Sequence, residues 1–193
     1  MFLSEVLLNA RNPLGRKDLA SAYELHRTLS SGFPDGGRPR LLFRQESSAP
    51  RVLMLSCEEP LYNKSLETGR LLFVRTKPFE PRVSAGQQLR FRLRANPTKK
   101  RKDGAREALL QPADQMAWFA KKGQQHGFRL LSVHIVGEEV LRTPRGDGSA
   151  MTHLAVDFHG TLEVTETELF AQALRSGIGS AKAFGFGMLC VSP

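Results

Sequence analysis

Thr152-His-Leu-Ala-Val-Asp-Phe-His-Gly-Thr-Leu-Glu-Val164, running straight into Thr165-Glu-Thr-Glu-Leu-Phe-Ala-Gln-Ala-Leu174, decides the fold: a long strand here gives way to a helix. Thr165 and Glu168 have the spacing of a capping box, and Leu169, Phe170, Ala173 and Leu174 supply the helix's apolar side. Just upstream, Phe128–Val136 is a second strand, joined to the first by a hairpin through Pro144-Arg-Gly-Asp-Gly148. A glycine-rich loop follows the helix and leads to a last strand, Phe186–Val191. Before these, Gln88–Ala95 is a strand, and Pro112 opens a helix that Gly123 stops. Residues 81–193 therefore have the order β-α-β-β-α-β.

Residues 1–80 give the same order with a weaker second helix. Met1–Leu8 is a strand and Asn9–Gly15 supplies turn chemistry. A helix is predicted from Lys17 or Asp18 to Ser30, with its stripe at Leu19, Ala22, Leu25 and Leu29 and its end at Gly32 and Pro34. Strands follow at Arg40–Arg44 and Arg51–Cys57, a helical turn fits within Glu59–Thr68, and Leu71–Thr76 is another strand. Pro78, Pro81 and Gly86 mark the boundary between domains 1–80 and 81–193. Two split β-α-β units imply an α+β protein of tandem ferredoxin-like (RRM-like) domains, each a four-stranded antiparallel sheet with helices on one face.

Composition narrows the function. The 193 residues are 40% hydrophobic and 24% charged, an ordinary globular balance with no apolar run to cross a bilayer and no signal peptide. Twenty-eight Lys and Arg against 19 Asp and Glu leave a net charge of +9, so nucleic acid is the first partner to expect and a membrane is not one. Cys57 and Cys190 lie in apolar strand-like runs and read as small buried hydrophobes, without the paired CxxC spacing of a zinc site. A reducing cytoplasm is the simplest location. His126, His134, His153 and His159 form no HxxxH or HxxH pair, so no metal site is expected.

The densest basic feature is Arg90, Arg92 and Arg94 followed by Lys99, Lys100, Arg101 and Lys102, seven cations with no acid among them. Strand alternation puts the arginines opposite Phe91 and Leu93, so their face is either solvated or meets an anion such as RNA. Lys99–Lys102 alone also fits a solubilising loop. Arg142 and Arg145 flank the hairpin tip, which reads either as a probe for an RNA groove or as a basic surface turn. Gly177, Gly179, Gly185 and Gly187 surround Lys182 in a loop that would let backbone approach a phosphate, or simply let chain segments cross closely. Its spacing is neither a Walker A loop nor GxGxxG, and no nucleotide cofactor is indicated. On the first helix, His26 falls at the margin of the buried stripe with Tyr23, Arg27 and Ser30 nearby, an edge that serves either packing or proton transfer.

Taken together, Asp18-Leu-Ala-Ser-Ala-Tyr23-Glu24-Leu25-His26-Arg27-Thr28-Leu29, Leu42-Phe43-Arg44, Arg90-Phe-Arg-Leu-Arg-Ala-Asn-Pro97 and Gly177-Ile-Gly-Ser-Ala-Lys-Ala-Phe-Gly-Phe-Gly187 resemble the CasE (Cse-type) CRISPR precursor-RNA processing endoribonucleases of type I-E systems. The resemblance implies two ferredoxin-like domains and metal-independent, cofactor-free cleavage of a CRISPR repeat stem-loop, in which a 2′-hydroxyl attacks the adjacent phosphorus. The products are a 2′,3′-cyclic phosphate and a 5′-hydroxyl, and the enzyme stays on the hairpin as a Cascade subunit, with RNA rather than DNA as its direct partner. It also implies that Tyr23 and His26 are the catalytic pair. His26 is then the general acid or base, Tyr23 an orienter or proton partner, and Arg27 and Lys182 hold the phosphate. Some related chains carry a lysine just after this helix, where Ser30-Ser31-Gly32 stands here. The rival readings are a non-cleaving RNA-binding scaffold subunit and a ferredoxin-like small-molecule enzyme or sensor whose basic surface is incidental.

Overall fold

The computed structural model describes residues 1–33, 40–46, 49–144 and 150–193, so Pro34 and Arg145 lie outside the described residues. The chain is α+β, with two antiparallel four-stranded sheets and interspersed helices. It divides into two compact units, Met1–Glu80 with Lys182–Gly185, and Pro81–Ala181 with Phe186–Pro193. No helix among the described residues is long and apolar enough to cross a membrane.

In the first unit, β1 (Phe2–Leu8) pairs antiparallel with β3 (Arg51–Ser56) and β4 (Leu71–Pro78), and β2 (Leu42–Gln45) pairs with β3. The sheet order is β2-β3-β1-β4. Alternation along β1 buries Ser4, Val6 and Leu8, and Val6 and Leu8 join Leu25, Leu29, Phe43, Val52, Met54 and Leu71 in one core. Two helices stand where the periodicity predicts one. α1 (Pro13–Ala20) begins earlier than expected, because the Asn12 carboxamide accepts the N–H groups of Leu14 (2.8 Å) and Gly15 (3.4 Å) and Pro13 fits the first turn. Ser21 then breaks the helix with extended backbone (φ −140°, ψ 112°), and its hydroxyl caps α2 (Ala22–Ser30) by accepting the Glu24 N–H at 3.4 Å. The weak second helix is the short α3 (Asn63–Glu67).

In the second unit, β5 (Gln88–Ala95), β8 (Phe128–Pro144), β9 (Ala150–Val164) and β10 (Leu189–Ser192) form a sheet of order β10-β5-β9-β8, all pairs antiparallel. Numbering the strands within each four-stranded sheet, both sheets run fourth, first, third, second. β5 alternates as expected, with Leu89, Phe91 and Leu93 buried and Arg90 and Arg92 exposed. Against the sheet, α4 (Pro112–Gln125) places Phe119 within 5.0–5.9 Å, centroid to centroid, of Phe91, Phe128 and Phe158. The capping box does not form. α5 begins at Thr167 without a side-chain cap, and the N–H groups of Thr165 and Glu166 instead both donate to the Gly127 carbonyl (2.8 and 3.0 Å). Lys99–Lys102 is not a plain loop: β6 (Thr98–Lys100) and β7 (Arg106–Ala108) make a two-stranded hairpin around it. Neither cysteine is a core residue: Cys57 is exposed just past the end of β3 and Cys190 is half-buried on β10.

Candidate active site

The apolar side of α2 sets what its other side can present. Leu25, Thr28 and Leu29 are buried, which turns Tyr23 and Arg27 outward and leaves His26 half-buried at the margin. Tyr23 is 50% exposed. Tyr23 and His26, three apart, share a helix face, with Cβ atoms about 5–6 Å apart. Beneath the imidazole lies Phe43 of β2, ring centroids 6.1 Å apart and planes tilted by 42°. This partial burial pushes the His26 pKa below its ordinary 6.5, so the imidazole is mostly neutral at pH 7.

A 3-10 turn, Lys182–Phe184, belongs to this unit and lies beside both α2 and β2. It brings Lys182, 156 residues away in sequence from His26, to the same neighbourhood. Gly185 ends the turn at φ +82°, and a Cβ there would stand 3.1 Å from Cε2 of Phe43. The chain thus passes over the ring that seats the histidine, where only glycine fits without strain. Arg27 is not a loose cation: its Nη1 donates to Glu24 Oε2 at 3.3 Å, while Lys17 pairs with the other carboxylate oxygen at 3.2 Å.

The remaining sequence-derived residues lie on the second unit, Gly185 apart. Arg94 is half-buried and held between Asp157 and Glu139, acids that β9 and β8 bring across the sheet. Arg90 donates from Nε and Nη2 to the carbonyl of Pro193 (2.9 and 2.7 Å). Arg90 and Arg92, with His159, Cys190 and Ser192, line an open groove of about 460 Å³ on this face. On the β6–β7 hairpin, Lys99 pairs with Glu107 and Arg101 with Asp103, both at 3.5 Å, while Lys100 and Lys102 are exposed. Arg142 is exposed towards the end of β8, opposite Thr152. Gly177, Gly179 and Gly187 have φ of +72°, +86° and +88°, and Ala181 between them also lies in the left-handed region at +60°. His153 on β9, which the sequence offered only as a metal ligand without a partner at the right spacing, is half-buried with its ring 5.9 Å from Phe186 and its pKa lowered by burial. Among the described residues, no three His, Cys, Asp or Glu side chains gather closely enough to hold a metal ion.

The family model described as CRISPR associated protein matches residues 1–193. The chain is similar to the CRISPR-associated endoribonuclease Cse3 of Thermus thermophilus, 40% identical over 212 residues and the whole of both chains. It is also similar to the CRISPR system Cascade subunit CasE of Escherichia coli strain K12, at 30% over 211 residues and again the whole of both. Among solved structures, Thermus thermophilus Cse3 bound to an RNA representing a pre-cleavage complex superposes with a TM-score of 0.89 at 39% identity, covering 100% of this chain and 98% of that one.

Proposed function

The chain belongs to the CRISPR-associated family of Cse3 and CasE endoribonucleases, and on that premise we propose that it cuts the repeat stem-loops of CRISPR precursor RNA through His26 and Tyr23. Each four-stranded unit is read as a ferredoxin-like (RRM-like) domain, with the boundary near residue 80; the identical strand orders support this. The Escherichia coli relative carries the name of a Cascade subunit, and we extend that partnership, and a cytoplasmic location, to this protein.

The observation that carries the residue roles is the seat of His26, half-buried on Phe43 beside the turn that bears Lys182. A neutral imidazole takes the proton of the ribose 2′-hydroxyl as that oxygen attacks the adjacent phosphorus. The phosphorus–5′-oxygen bond breaks, and the leaving 5′-oxygen takes a proton from the Tyr23 hydroxyl, which solvent replenishes. Water is not consumed, and the ends are a 2′,3′-cyclic phosphate and a 5′-hydroxyl. Lys182 and Arg27 offset the charge that builds on the phosphoryl oxygens, Arg27 exchanging Glu24 for the phosphate.

The stem is held by the β6–β7 hairpin, whose cations are exposed, with Arg142 and the arginine face of β5 adding field. The test is a stem-loop repeat RNA carrying a 2′-deoxy sugar at the nucleotide whose hydroxyl attacks. It should bind as the all-ribose RNA does and stay uncut in EDTA, while the all-ribose RNA is cut to a cyclic phosphate end. Cutting of the deoxy RNA would refute the mechanism, and binding without cutting of the all-ribose RNA would favour the scaffold reading.

A further inference from the structure

A buried carboxylate joins α1 to α2. Asp18, near the end of α1, is fully buried. Its Oδ2 accepts from Arg70 Nε at 2.6 Å, and its Oδ1 from Arg70 Nη2 at 2.5 Å and from Thr28 Oγ1 at 3.0 Å. Arg70 is itself fixed, its N–H donating to Ser65 O and its carbonyl accepting from Asn9 N, both at 3.0 Å. Three segments therefore meet at one carboxylate: α1, the last turn of α2, and the residue before β4.

A buried ion pair is an indirect way to hold helices together, because desolvating two charges offsets most of their attraction and apolar side chains of similar volume often serve as well. What apolar packing does not supply is direction. A carboxylate ringed by donors fixes where each donor stands, and here one of them belongs to α2. Thr28 is two residues beyond His26, about 200° around the helix. A tether on the inner side at Thr28 thus sets the rotation of the imidazole at the margin. The extended Ser21 makes such a tether necessary, since α2 is not a rigid continuation of α1.

We infer that Asp18 and Thr28 are positioning residues for RNA cleavage: the carboxylate, clamped by Arg70, holds α2 in the rotation that seats His26 on Phe43 and presents Tyr23 outward. This role rests on the ribonuclease reading above. The test compares wild type, Thr28→Val and Thr28→Ser in single-turnover cleavage at saturating protein, in stem-loop affinity and in the NMR titration of the His26 imidazole. Thr28→Val should cut about tenfold more slowly, as misplacing a reacting group by a fraction of an ångström does. Its Kd should stay within about twofold of wild type, in keeping with the tether's place on the inner side of α2. The His26 midpoint should move towards 6.5 as its seat loosens, and Thr28→Ser, which keeps the hydroxyl, should restore rate and midpoint. Thr28→Ala carries the same comparison if the valine variant does not fold. A wild-type rate with an unmoved titration would overturn the inference. So would a rate loss that tracks lost affinity, or a serine variant no better than valine. Failure of wild type to cut would refute the ribonuclease reading, and this role with it, and is distinguishable because it appears before any variant is compared.

Discussion

Replacing Gly185 by alanine tests how closely the 3-10 turn and the histidine seat are coupled. Two costs arise. The first is conformational: at φ +82° an L-residue loses about 1–2 kcal/mol relative to glycine. The second is contact: the new Cβ stands 3.1 Å from Cε2 of Phe43 and 3.6 Å from Cδ2 and Cζ, so the ring or the turn must yield by a few tenths of an ångström. Phe43 is 1% exposed and packed in the core, so little of that movement can be absorbed beneath it, and the imidazole tilted against it takes the rest. Together the costs come to about 2 kcal/mol, or about 4–8 °C in Tm for a chain of this size. Cleavage should slow about three- to tenfold as His26 shifts. Gly86→Ala is the control, for Gly86 has φ +81° with nothing within 4 Å of its Cβ position. It incurs the backbone cost alone and should leave single-turnover cleavage unchanged. Thermal unfolding and single-turnover assays on the two variants separate the costs. Equal behaviour of the two in both assays would refute the coupling of turn, ring and histidine.

Three further outcomes follow, two from the burial of His26 and one from the basic hairpin. Because burial lowers the His26 pKa, the base form is populated above a midpoint below 6.5, so kcat/KM should rise with pH through that midpoint and then level off; a limb centred above 7 would contradict a neutral base. The same depressed pKa means the unfolded chain binds the proton more readily, so His26's contribution to stability is present above 6.5 and is lost as pH falls through the folded midpoint, which acid titration of unfolding can check. Changing Lys99, Lys100, Arg101 and Lys102 together to alanine should reduce the slope of log K against log salt by about 3–4, at about 0.7–0.9 per phosphate contact for four contacts, while cleavage at saturating protein holds. An unchanged slope would remove the hairpin from the RNA surface.

Much of this architecture was legible because it is written in local patterns. The order β-α-β-β-α-β followed from apolar runs and glycine or proline punctuation, and the alternation of β5 followed from period two alone. What escaped depended on distant residues or on backbone detail. Ser21 is compatible with a helix interior, and only its extended backbone, steadied by a cap to Glu24, reveals two helices instead of one. The strands of the β6–β7 hairpin carry mostly charge and no apolar face, so they lack the signature of a strand. Arg94 read as one of seven cations without acids, yet Glu139 and Asp157 reach it through a sheet register that no linear reading supplies. At the site, Tyr23, His26 and Arg27 stood out on one helix, whereas the approach of Lys182 depends on a turn far along the chain joining the first unit.

If His26 performs the chemistry and does not hold the RNA, its removal separates cutting from binding. Single-turnover cleavage of the repeat stem-loop in EDTA by wild type and His26→Ala, with binding measured on the same samples, tests this. The rate should fall about 10²–10⁴-fold with affinity unchanged within a few-fold. A variant that cuts at the wild-type rate, or that loses cleavage only by losing the RNA, would contradict it.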